Sequence, residues 1–254
     1  MTRGRPGARR QTGLPTGAVC APLVAHGMSL AVSVEPRAWL TLAAPVRWSL
    51  AADGVLFTTA CAIVCAPVVG AAVAARHRAN TGTARSLAIP LVAAVLLFAG
   101  VSAVLTLGWR LGQPDALGFV MRSHVTLTAV SAALVALGAL CAALFRNPLD
   151  AAGASLLVSL VASGGLLVGG ASVADLPRLV IAAGLTASPL VAMASAAQID
   201  IVRSDLLYQI SPLAHMQIDY PTWSLATACY LAVVCVCVLS LTATDRRMAS
   251  AFHR

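Results

Sequence analysis

Parts of this chain run longer without a charge than a water-soluble element tolerates, and that constrains the fold more than any motif. Residues 54–75, GVLFTTACAIVCAPVVGAAVAA, carry no acid or base and stop at Arg76-His77-Arg78. About 18 consecutive apolar residues read as a bilayer span, and only helices or closed barrels satisfy their backbone inside hydrocarbon. Of the 254 residues, 59% are hydrophobic and 10% charged, whereas about a quarter are charged in an ordinary soluble domain. The expectation is an all-α, polytopic integral membrane protein forming a single transmembrane domain.

All 17 basic residues are arginine. A Walker A loop needs its lysine, and pyridoxal and retinal need a lysine amine for their Schiff base, so the chain by itself is no P-loop ATPase and holds neither cofactor. Any ATP that drives it must bind a separate subunit. The net charge of +8 lacks the basic patch interleaved with aromatics that a nucleic-acid footprint shows, so no nucleic-acid partner is expected. Six of the seven cysteines lie inside apolar runs, where they read as small apolar fillers. Cys235 and Cys237 are two apart and do not share a helix face, so no metal set is expected there.

Six spans are expected, at about 17–34, 52–75, 86–108, 124–145, 153–173 and 222–242. Residues 1–16 form a basic flank with Arg3, Arg5, Arg9 and Arg10. The run 17–34 reads as a retained helix, a signal peptide being the alternative, and no small-x-small cleavage site stands before Glu35. Residues 35–50, with Trp39, Trp48, Arg37 and Arg47, suit the headgroup level. Within 153–173, Gly165 and Gly169 stand in small-x-x-x-small register and predict a close helix contact, within the chain or across a dimer.

The tract 179–199 is as long as a span but contains Pro189, and charge decides how it is read. With both termini inside, inner segments hold Arg3, Arg5, Arg9, Arg10, Arg76, Arg78, Arg85, Arg146, Arg246, Arg247 and Arg254 against only Asp150 and Asp245. Acids and arginines nearly balance outside. The positive-inside rule is thereby met if 174–221 is outer or re-entrant and does not cross. A multi-pass protein of the cytoplasmic (inner) membrane follows, in contact with lipid.

No GxSxG elbow, no HExxH and no pair of carboxylates at mid-membrane depth is present, so the chain is not expected to be an enzyme. His26 and His124 lie at unmatched depths for haem ligation, and Asp53 at the outer end of its helix needs no proton-relay role. An intramembrane enzyme would have to rest on His124, His215 or Asp219.

The inner loop after the second span reads Arg76-His77-Arg78, then Asn80, Thr81, Gly82, Thr83 and Arg85, which is more polar than a minimal turn. The string CAPVVGAAVAARHRANTGT resembles the end of the second helix of type 2 ABC transporter permeases, where an apolar, proline-containing helix meets a charged pair and then Gly-Thr. In that family the pair is usually Glu-Arg; here the acid is missing. LVALGALCAALFRNPLDAAGASLLVSL is similar to the family's fourth helix, short inner turn and fifth helix. LTASPLVAMASAAQIDIVRSDLLYQISPLAHMQIDYPTWS resembles the outer region before its last helix. The resemblance covers about 52–242.

It implies a permease subunit that pairs with a second permease, the same or related, on two cytoplasmic ATPase subunits that bind the ATP; no cofactor belongs to this chain. The ATPases would push on Arg76, His77, Arg78, Thr81, Gly82, Thr83 and Arg85, and on Arg146 and Asn147. On the outer side Asp200, Arg203, Asp205, His215 and Asp219 read either as a gate or lid or as a solvated, internally paired loop; Asp200 and Arg203 are at helical i,i+3 spacing. A scaffold or accessory subunit that transports nothing is the alternative function. Substrate and direction stay open.

Overall fold

A computed structural model describes residues 44–80, 95, 117–145, 147–167, 173, 175–201, 213 and 219–252. All regular elements among them are helices: α1 (Ala44–Asn80), α2 (Leu117–Leu144), α3 (Pro148–Gly164), α4 (Arg178–Ala187), α5 (Pro189–Ala196) and α6 (Trp223–Phe252). Three of these contain stretches long and apolar enough to cross a membrane, Thr59–Arg78, Met121–Leu144 and Trp223–Thr244. The apolar helices fit a membrane protein. The expected runs 17–34 and 86–108 lie outside the described residues, apart from a helical Val95.

The helices rise about 1.5 Å per residue, so the 37 residues of α1 reach about 55 Å, well beyond a hydrocarbon core of about 30 Å. Its first turns take in residues 44–50, which continue directly into the span; 35–43 are outside the described residues. The stretch expected at 153–173 begins earlier and ends sooner. Asn147 caps α3, its side chain accepting from the Leu149 amide at 3.1 Å, and Pro148 follows at the first helical position, where its missing N–H costs nothing. The helix stops at Gly164, and its 17 residues reach only about 26 Å.

Directions follow from the apolar clusters. Ile63, Ala66 and Val69 of α1 pack with Ala129, Val130 and Ala133 of α2 and with Ala226 and Tyr230 of α6; Val95 packs against the same group. Further along, Ala71 and Ala74 meet Ala139, Cys141 and Ala142 of α2 and Leu241 of α6. Residue numbers rise together in all three, so α1, α2 and α6 are parallel. Ala151, near the start of α3, joins the second group, whereas Ser163 near its end accepts from Ser188 Oγ at 2.8 Å, so α3 runs the other way.

The span of α2 is 67% buried and that of α6 only 28%, so α2 forms the axis of the bundle and α6 its flank. The closest approach is between α1 and α2. A Cβ on Gly70 would collide with the Val135 carbonyl, and one on Gly138 with the Pro67 carbonyl and the Ala71 amide. Backbone meets backbone there, as small residues permit in lipid. Gly165 is exposed in a turn, and among the described residues a Cβ on it would meet Val161 of the preceding helix. Gly169 is outside the described residues.

Helices α4 and α5 bend through 78° at Ser188. Ser188 caps α5 and Pro189 opens it. The eight residues of α5 then enter the bundle, with Val191, Ala192, Met193 and Ala194 fully buried. Met193 packs with Ala62 of α1 and Leu127 of α2, at the end where all three long spans begin.

Candidate functional site

The residues of interest collect at the two ends of the bundle. At the end where α1 and α2 finish, Arg76 is exposed and His77 half-buried. The Arg78 guanidinium donates to the Ala142 carbonyl at 2.6 Å. The last four carbonyls of a helix have no partner within it. Phe145 N–H reaches back to Cys141 O at 2.9 Å, and Arg78 takes the next carbonyl, a cation against the negative end of the α2 dipole. Asn147, two residues past Phe145, is exposed and opens α3. The structure therefore brings together two of the expected coupling segments, those of Arg76 to Arg78 and of Asn147. Thr81, Gly82, Thr83, Arg85 and Arg146 lie outside the described residues.

At the opposite end, hydrogen bonds strap the bent α4–α5 pair to its neighbours. Tyr230 Oη of α6 donates to Ala187 O at 2.7 Å, and Ser195 Oγ to Pro221 O at 2.6 Å. Tyr220 Oη donates to Asp200 Oδ1 at 2.5 Å. Ser188 Oγ, which bonds Ser163 O, ties the bend to α3. The i,i+3 helical spacing assumed for Asp200 and Arg203 does not apply at Asp200, because the chain leaves its helix at Ala196 and 199–201 are not helical. Gln198 there takes φ 55°, and Ile199 N–H returns to Ala194 O, which turns the chain sharply at the end of α5. Asp219 is exposed just before α6; Arg203, Asp205 and His215 lie outside the described residues.

Hydroxyl groups line the interior. Ser155, Ser159 and Ser163 share one buried face of α3 and bond back to the carbonyls of Ala152, Ser155 and Ser159. Thr126 of α2 and Thr227 of α6 share a hydrogen bond of 3.0 Å. The buried hydroxyls of Ser123 and Ser131 have no hydrogen-bond partner among the described residues. No three His, Cys, Asp or Glu side chains come together among the described residues. Cys235 is exposed and Cys237 buried, on different sides of α6.

Sequence reasoning missed Tyr230, the glycine pair Gly70 and Gly138, and the bond that Tyr220 makes to Asp200. Pro189 was legible as a break in the tract, whereas the Ser188 cap emerged from the structure; the partners of the tyrosines and glycines are distant in sequence and left no local signal. No family model, curated protein or solved structure matches the chain.

Proposed function

We propose that this chain is the membrane-spanning permease subunit of an ABC transporter, with six spans and both termini on the cytoplasmic side of the cytoplasmic membrane. The observation that carries the reading is the contact of Arg78 with Ala142, which joins the end of α1 to the α2–α3 turn, the two places where the family resemblance puts pressure from an ATPase. A single soluble partner under that end would touch both.

Helix direction supports the topology. Parallel α1 and α2 require the intervening chain to return across the membrane, for which 86–108 supplies the apolar run. Because α3 ends and α6 begins at the same end, 165–222 returns to its starting side, and α4 and α5 form a re-entrant pair rather than one broken span. With 17–34 as the first span, six result. Arginines 76, 78, 246 and 247 then share the inner side.

Transport in this reading is a shift between two packings of the bundle, driven by differential contacts of the ATPase with each. The strapped α4–α5 pair closes the outer side. Pull-down of the full chain from its native membrane, with a photo-crosslinker at position 76, should capture a nucleotide-binding polypeptide that hydrolyses ATP. Recovery of the chain with no such polypeptide, or with a redox or sensor complex, would replace the transporter by the scaffold reading.

A further inference from the structure

Arg76 and Arg78 stand at the same helix end but do different things. Both side chains are exposed, but Arg78 spends its guanidinium on a backbone carbonyl of another helix, 64 residues away in sequence. That carbonyl belongs to the last turn of α2, and the final carbonyls of a helix lack partners within it; only residues 145–147 separate α2 from α3. A charge-assisted bond at the negative end of a helix, partly screened from water, is among the stronger polar contacts available to an arginine.

We infer that Arg78 is a positioning residue: it does not engage the partner but clamps the α2–α3 turn to the end of α1, so that the two inner segments move as one surface, and of the two arginines it is Arg76 that faces the partner. This deepens the transporter reading and rests on it for the identity of the partner, though not for the clamp itself. A push on the loop after α1 is passed through the Arg78 bond to α2, the axial helix, without a separate contact there.

The test uses the full chain in phospholipid nanodiscs, with spin labels on unnatural residues at positions 76 and 149, and reads the distance between them. Arg78→Ala should lengthen and broaden the distribution, and Arg78→Lys should retain most of the native one. If Arg78→Ala does not fold, Arg78→Gln takes its place beside Arg78→Lys: the charged variant should hold the distance and the neutral one lose it. Distances that are the same in all variants overturn the clamp.

In the unlabelled complex, Arg78→Ala should still bind the ATPase yet lose about tenfold or more of coupled ATP turnover, whereas Arg76→Ala should weaken ATPase binding itself. Loss of ATPase binding in Arg78→Ala equal to that in Arg76→Ala would overturn the division of roles. A distance that responds as expected in a chain that recruits no ATPase keeps the clamp and removes the transporter reading.

Discussion

Gly138→Ala adds one methyl group at the α1–α2 crossing. In an exposed helix that change stabilises by about 1 kcal/mol, since glycine is the poorer helix former. Here the methyl would strike the Pro67 carbonyl and the Ala71 amide, both backbone atoms, so no rotamer change relieves it. The helices would have to part by on the order of 1 Å to restore van der Waals distance, and a gap of that size forfeits up to about half of each dispersion contact nearby. Overpacking of this kind costs about 1–3 kcal/mol, and rigid backbone on both sides argues for the upper part of that range, so the net loss should be about 2 kcal/mol after the propensity gain.

Gly153→Ala is the internal control. It makes the same chemical change in a helix, and a Cβ there meets nothing within 4 Å. Thermal unfolding of the full chain in detergent, followed by loss of the monodisperse peak, should rank Gly153→Ala at or above the native chain and Gly138→Ala clearly below it. Gly70→Ala should resemble Gly138→Ala, and the double variant should lose less than the sum of the two because the helices part only once. Equal midpoints for Gly138→Ala and Gly153→Ala would refute the backbone contact.

Three further outcomes are expected. Tyr230→Phe removes the donor to Ala187 O and should cost about 1–2 kcal/mol, read as a lower unfolding midpoint together with faster proteolysis in the α4–α5 pair. Gln198→Gly relieves a left-handed residue at the end of α5 and should raise the midpoint by up to about 1 kcal/mol; no change would mean that the turn is not under strain. Cysteines placed singly at Arg76 and Asp219 should react with an impermeant thiol reagent from opposite sides of sealed vesicles. Labelling from the same side would break the proposed topology.

Much of the architecture was legible because lipid imposes a one-dimensional rule: an apolar run without charge must become a helix. That rule located 52–75, 124–145 and 222–242, which fall inside α1, α2 and α6 to within one residue. It was weaker for 153–173, where the helix is set by the Asn147 cap and Pro148 at one end and by Gly164 and Gly165 at the other. For Asp200 the spacing argument assumed a helix that ends at Ala196.

Composition alone pointed to a helical membrane chain without a lysine for P-loop chemistry, and Pro189 marked a break in the tract 179–199. Local rules suffice there, because span length, caps and proline geometry act over a few residues. Which faces meet was decided only in three dimensions. Gly70 finds Gly138, Arg78 finds Ala142 and Tyr230 finds Ala187 across gaps of dozens of residues, through close packing and carbonyls that water would otherwise satisfy.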